Sequence, residues 1–399
     1  MKRFAIIKFM VVGLLLATFN QSCTDLEEEL FSQVAVDDFF KTDEEFISAL
    51  GSAYTSLYFY MNHGNYMSIQ EISSDEMMIP QRGADWFDGG IWLRTHRHEF
   101  ASNDDQYNGA WNVLYGGVST CNRLIFQFEQ LGTPEADGFI AELKVLRGLY
   151  YWWLLDSFGN IPLVDKFDVP EGFIPEQSNR QTVFDFIEKE LNDNVSKLSQ
   201  AVDGTTYARM NYYVGKALQA KLYLNAEVYT GTARWADAVA AADEVLNSGQ
   251  YSLEANYFAN FNTNNAASKE NIFVVPYDQV FAGGFNLAQM TLHYGSQATF
   301  NLQDQPWNGY CSFQGVYNSY EDTDARKGVS GNTSIRGNFH VGPQLASDGS
   351  VIEDASALDP DGTPLNFTPE INEHFPNTYR QAGARVGKYE FAIGATPNL

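Results

Sequence analysis

The chain has 399 residues, 44% hydrophobic and 19% charged, and a formal net charge of −25 from 25 basic and 50 acidic residues. Such a chain can bury a large core, so it is globular, built of two or more structural units or of one extended assembly. The charge excludes nucleic acid as a natural partner and disfavours direct adhesion of the folded body to anionic lipid.

At the N-terminus, Lys2, Arg3 and Lys8 precede an apolar run from Phe9 to Phe19, and Cys23 is followed by Thr24, Asp25, Leu26, Glu27, Glu28 and Glu29. The run is far short of the roughly 20 residues that a membrane-spanning helix needs. It reads as an export signal over 1–22, with Cys23 as the lipidated first residue of a mature lipoprotein; plain secretion with Cys23 as a bystander is the alternative. Loss of 1–22 removes three basic residues and no acidic one, taking the charge from −25 to −28. The acyl chain is then the expected membrane attachment.

The mature region from 23 to 255 reads as helical. A first helix is expected from Asp37 to about Tyr60, capped by Thr42, with Phe46, Leu50, Tyr54 and Leu57 on its inner face. A polar, glycine-rich excursion follows from 62 to 105. Trp111, Leu114, Tyr115, Val118, Cys121, Leu124 and Ile125 restore a helical period, and Thr133-Pro134 opens a third helix with Leu143, Leu146, Tyr150, Trp153 and Leu154 as its stripe. A fourth helix, Gln181 to Leu198, turns Val183, Phe184, Ile187, Leu191, Val195 and Leu198 inward. Tyr213–Tyr229 and Trp235–Asn247 are expected to pair. Ala217, Ala220, Leu224, Ala238, Ala242 and Val245 allow close approach, and Tyr223, Trp235 and Leu246 fill the wider gaps. Such hairpins resemble a degenerate tetratricopeptide array. From 256 to 399 short extended runs such as Ile272–Pro276 alternate with Asn, Gly and Asp clusters, which suits a surface laid over a helical scaffold.

No G-x-S-x-G, H-E-x-x-H, C-x-x-C, Walker or G-x-G-x-x-G pattern occurs, so no enzyme activity and no cofactor are expected. His96-Arg97-His98-Glu99 is the one histidine cluster, more a solvated polar segment than a metal site. Whether Cys121 and Cys311 pair is left open by sequence, a buried free thiol being the commoner state of such a Cys121. The stronger constellation is aromatic and polar: Asp75, Glu76, Arg82, Asp85, Trp86 and Trp92 in the excursion, and Tyr294, Trp307 and Tyr310 in the loop-rich half. A sugar ring lays its apolar C–H face on an indole or phenol, and its hydroxyls meet planar donors and acceptors. The same rings could instead seal loops onto the scaffold.

Trp111-Asn112-x-x-Tyr115 with Cys121-Asn122-Arg123-Leu124-Ile125, Leu146-Arg147-Gly148-Leu149-Tyr150-Tyr151 leading into Phe158-Gly159-Asn160-Ile161-Pro162, Arg180 with Val183-Phe184-x-x-Ile187, Lys216-Ala217, Trp235-x-x-Ala238 through Ser248-Gly249-Gln250-Tyr251, Lys269-Glu270-Asn271-Ile272-Phe273 and Arg385-x-x-Lys388-Tyr389 occur in one order. In this the chain resembles the SusD/RagB family of surface lipoproteins. The resemblance implies a mainly α fold, a tetratricopeptide-like hairpin array carrying a loop-rich, partly extended ligand-binding region. It also implies an outer-membrane, surface-exposed, lipid-anchored protein that binds oligosaccharide nutrients and delivers them to a SusC-like TonB-dependent transporter. A peptide-binding relative on the same scaffold and a protein-interaction module are the alternative functions. In similar proteins further helices follow the Lys388-Tyr389 segment, so the chain is expected to be truncated, with apolar hairpin surface left uncovered and solubility reduced.

Overall fold

The computed structural model describes residues 40–278, 280–327, 337–354 and 364–395. Cys23 and the expected signal lie outside them. The first helix, α1, spans Asp43–Tyr54 and continues as a 3-10 turn over Thr55–Phe59. The backbone N–H of Glu45 reaches Thr42 Oγ1 at 3.3 Å while its carboxylate takes the Thr42 N–H at 3.0 Å, a reciprocal cap that starts α1 at 43 rather than 37.

Two long helices follow the excursion, α4 over Asp105–Leu131 and α5 over Pro134–Phe158, with the short α2 (Tyr66–Glu71) and α3 (Ile91–His96) before them. The expectation of an irregular 62–105 is therefore corrected. Met67, Ile72, Ile79 and Trp92 bury apolar surface there with Leu287, Met290 and Tyr310, and burial selects local helix where composition alone reads loop. The α4–α5 contact depends on Gly117, because a Cβ there would lie 2.5 Å from the Tyr150 ring. That ring is fully buried, and its hydroxyl donates to the Ala53 carbonyl at 2.7 Å.

The fourth helix, α6 (Arg180–Asn194), packs on α5 and is capped by Asn179 Oδ1, which accepts from Thr182 N at 2.9 Å. Arg147 of α5 reaches Glu190 of α6 at 2.6 Å and Asn122 of α4 at 2.7 Å, and Asn122 donates on to the Val164 carbonyl. One buried guanidinium thus ties three helices and the strand-like exit of α5 together. Desolvation still pushes the Glu190 carboxyl upward, against the pull of Arg147. Arg209 and Tyr54 hold Glu142 in a second such knot.

In the last hairpin, α7 (Tyr212–Leu224) packs on α9 (Trp235–Leu246), and the expected continuous helix to Tyr229 is broken at Asn225 before α8 (Ala226–Thr230). Ala238, Ala241 and Val245 face inward, but Leu224, Trp235 and Leu246 are 61%, 59% and 75% exposed. The inward place expected of Leu224 and the gap-filling role expected of Trp235 and Leu246 are corrected: Trp235 and Leu246 lie about a quarter turn round the helix from the buried row. Tyr223 does fill the hairpin, under the Arg234 guanidinium at 4.8 Å.

Beyond 255 the regular elements are minimal: α10 (Leu287–Thr291), α11 (Ser296–Phe300), α12 (Gln314–Ser319) and two-residue strands. Met77–Met78 (β1) pairs antiparallel with Cys311–Ser312 (β4), which stitches the excursion to the irregular half. Further ladders join Ile161–Pro162 (β2) to Gln177–Ser178 (β3), Phe339–His340 (β5) to Arg385–Val386 (β8), and Gly342–Pro343 (β6) to Asn366–Phe367 (β7). Phe46–Leu399 forms one compact unit, so position 255/256 marks a change of character within it. Cys121 and Cys311 are both free, buried thiols, and burial raises the Cys121 thiol to about 12. Among the described residues no helix is long and apolar enough to cross a membrane.

Candidate functional site

The loop from Arg82 to Gly90 is a tight structure. Arg82 and Asp85 exchange backbone hydrogen bonds at 3.0 and 3.2 Å, and Trp86 sits at φ +60°, in the left-handed region rarely used by a side chain of its size. That conformation turns the indole toward 307–310. Trp86 Nε1 donates to the Trp307 carbonyl at 2.7 Å, and a Cβ on Gly309 would lie 2.8 Å from the indole, so only glycine admits it. Trp307 is held by its own N–H on the Gln289 carbonyl at 2.7 Å, and the residue is 39% exposed.

Two indoles from segments 221 residues apart thus come to a centroid separation of 6.4 Å, tilted by 52°. His63 closes the group edge-on, 5.2 Å from Trp307 and 6.4 Å from Trp86. Its Nδ1 accepts from Asn286 Nδ2 at 3.1 Å, which leaves the proton on Nε2. Burial lowers its pKa, with Asp88 opposing, so the ring is neutral at pH 7. Next to the indoles, Asp85 accepts from the Tyr294 hydroxyl at 2.5 Å, and the Arg380 guanidinium lies 4.3 Å over the Tyr294 ring while bonding Asp354 at 3.1 Å. Behind them His293, buried, takes the Gly295 N–H on Nδ1 and donates from Nε2 to Asp354 at 2.9 Å. Burial first, and the nearby arginines after it, lower His293 to about 4.

Of the residues nominated by sequence, Asp85, Trp86, Tyr294 and Trp307 share this surface. Three others are corrected by burial. Arg82 is fully enclosed, its guanidinium bonded to the carbonyls of Asn308, Ala382 and Tyr379, so its charge serves the scaffold. Tyr310, equally enclosed, bonds Ser68, and Trp92 at 4% exposure donates to Asp88 Oδ2. Asp75 is exposed in the turn before β1, and its charge is felt by His96. His63, Arg380 and Asn308 were missed. His63 sits in an Asn-His-Gly sequence that reads as a turn, and Arg380 is brought in from far along the chain with no spacing to announce it.

Planar donors and acceptors beside two accessible indoles can hold a sugar ring by stacking and by hydroxyl hydrogen bonds. Among the described residues no group of three or more metal-ligating side chains converges.

A family model described as SusD-like, starch-binding and associating with the outer membrane matches residues 25–224. The starch-binding protein SusD of Bacteroides thetaiotaomicron is 32% identical over 167 residues, 41% of this chain and 29% of that protein. SusD-like protein P2 of Formosa agariphila is 23% identical over 339 residues, 82% of this chain and 65% of its own length. The matched stretch is therefore less than two thirds of either relative. Among solved structures, a laminarin-binding SusD-like protein superposes with a TM-score of 0.66 at 19% identity, covering 89% of this chain and 73% of its own. Surface glycan-binding protein A of Bacteroides thetaiotaomicron, in complex with laminarihexaose, gives 0.61 at 22% identity, covering 71% and 62%. These likenesses establish the fold, a helical tetratricopeptide-like array of the SusD kind.

Proposed function

This chain belongs to the SusD-like family, and on that premise we propose that it is a non-enzymatic glycan-binding lipoprotein. It takes up oligosaccharide at the outer face of the outer membrane and hands it to a SusC-like TonB-dependent transporter. The observation that carries the reading is the meeting of Trp86 and Trp307, two indoles fixed at 6.4 Å beside the Asp85–Tyr294–Arg380 group. That one relative is starch-binding and another laminarin-binding supports a glucan class of ligand. A few stacked rings and solvated hydroxyls give affinities of roughly micromolar to millimolar.

Titration calorimetry with malto- and laminari-oligosaccharides tests this. Trp307→Ala should weaken binding by about tenfold with the melting temperature unchanged, since it is the more exposed of the two tryptophans. Titration curves identical to the parent's would remove the platform from the site. Anchoring is tested separately, by incorporation of labelled palmitate at Cys23 and by digestion of the chain on intact cells with added protease; a chain left unlabelled, or shielded from the protease, is not a surface lipoprotein.

A further inference from the structure

Residues 260–271 carry five asparagines in twelve positions, a composition that disfavours helix and strand alike. The stretch is nonetheless pinned. Asn265 Nδ2 donates to the Asn260 carbonyl at 2.8 Å, Ser268 Oγ donates to Asn260 Oδ1, and the Glu390 carboxylate accepts from the Thr263 N–H at 2.8 Å and from its hydroxyl at 3.0 Å. The side-chain amides of Asn262, Asn264 and Asn271 hydrogen-bond to no other described residue. Two clefts open along the stretch, of about 580 and 560 Å³, both in the usual range for ligand pockets. Tyr207, Asn265 and Asn271 line both, so the two run together as one trough. Tyr60 and Tyr389 wall one end and Tyr251 the other, while Tyr207, 44% exposed, stands where they meet. None of His63, Asp85, Trp86, Tyr294, Trp307 and Arg380 borders it.

The charges around the trough are engaged within the protein. Asp203 takes the Thr205 N–H at 2.8 Å, Asp278 takes those of Val280 and Phe281 at 2.8 and 2.9 Å, Glu390 holds Thr263 as above, and Arg209 pairs with Glu142 at 2.6 Å. Lys269 is the remaining charged wall residue, and it is exposed. A charged guest therefore has little to meet there, and a neutral one forfeits nothing.

We propose that this trough is a second saccharide site, which takes a neutral oligosaccharide of several residues on Tyr207 and on the Asn262, Asn264 and Asn271 amides, apart from the Trp86–Trp307 platform. An amide side chain sets an acceptor beside two donors in one plane, which suits neighbouring sugar hydroxyls, and a phenol face takes the C–H side of the ring. An extended peptide needs a row of backbone partners instead, and the trough offers separate side chains. Because the stretch is already tied to Asn260 and Glu390, binding spends little on ordering it. The class of guest rests on the glycan reading above; the location does not.

The test is titration calorimetry on the full chain carrying Trp86→Ala and Trp307→Ala, which silences the platform, with maltoheptaose, laminarihexaose, xylohexaose and mannohexaose as probes. At least one probe should still bind, and adding Tyr207→Ala should weaken that binding by about tenfold or more. No binding of any probe to the platform variant, binding untouched by both Tyr207→Ala and Asn271→Ala, or equal binding of an oligogalacturonate or of a neutral glycine–serine octapeptide would each overturn the proposal. The two sites fail separately: parent and platform variant binding alike sinks the platform and upholds the trough, whereas binding by the parent alone does the reverse. Should the platform variant not fold, hydrogen exchange on the parent decides. A saturating probe should slow amides within 262–271 as well as those beside Trp86 and Trp307, and protection confined to the platform overturns the second site.

Discussion

The helical half and the irregular half keep their shape by different means. From 43 to 246 burial follows the helical period, and polar knots such as Arg147–Glu190 add register to a core that apolar stripes already define. From 256 onward little regular structure exists, and the backbone is held by enclosed side chains that bond carbonyls directly. Arg82 holds Asn308 and Ala382, while Arg385 holds Asn308 Oδ1 and the carbonyls of Ala382, Gly383 and Arg380. One half is a stack of repeats, the other a fabric of long-range ties. Single substitutions should therefore damage them differently.

The largest effect is expected at Arg147→Leu, which leaves Glu190 enclosed beside Asn122 without its cation and should cost about 4 kcal/mol in denaturant unfolding. A loss under about 1 kcal/mol would show that the helical stack does not need the knot. Arg82→Met should cost about 3 kcal/mol, and hydrogen exchange should rise at Asn308 and Ala382 while the α4–α5 pair stays protected. Uniform loosening of both halves would erase the distinction.

Acidification should also fall on the irregular half first. His293 is held neutral at about 4 in the fold, against 6.5 unfolded, so its contribution is complete above pH 6.5 and is lost as pH falls toward 4. At pH 5 the loss from this group is about 2 kcal/mol. His293→Gln should flatten the stability profile between pH 6.5 and 4, and an unchanged slope would assign acid sensitivity to other groups. Smallest of all, Lys189→Ala removes an exposed ion pair to Asp193 on α6, and the melting temperature should not move.

The same contrast explains what was legible in the sequence. Phe46, Leu50, Tyr54 and Leu57, and likewise Val183, Phe184, Ile187 and Leu191, fall inside as their spacing requires. A helix reports its inner face through period alone, except where a small-residue stripe blurs the phase, as it did for Trp235 and Leu246. The irregular half has no period. Trp86 and Tyr310, or Asp85 and Arg82, have the same standing in a loop, and only the fold separates the ring that faces solvent from the one that faces the core. The cap at Thr42, by contrast, was readable because two residues three apart, Thr42 and Glu45, carry the whole signal.

Asn308, in the left-handed region at φ +59°, is gripped from two sides by arginines that solvent does not reach, and Trp307 precedes it in the chain. The indole spacing is thereby set from the interior before any guest arrives. If the platform holds glycans as proposed, it would meet them with a surface already fixed, so discrimination would lie in which chains fit two indoles held 6.4 Å apart and not in any reshaping of the protein.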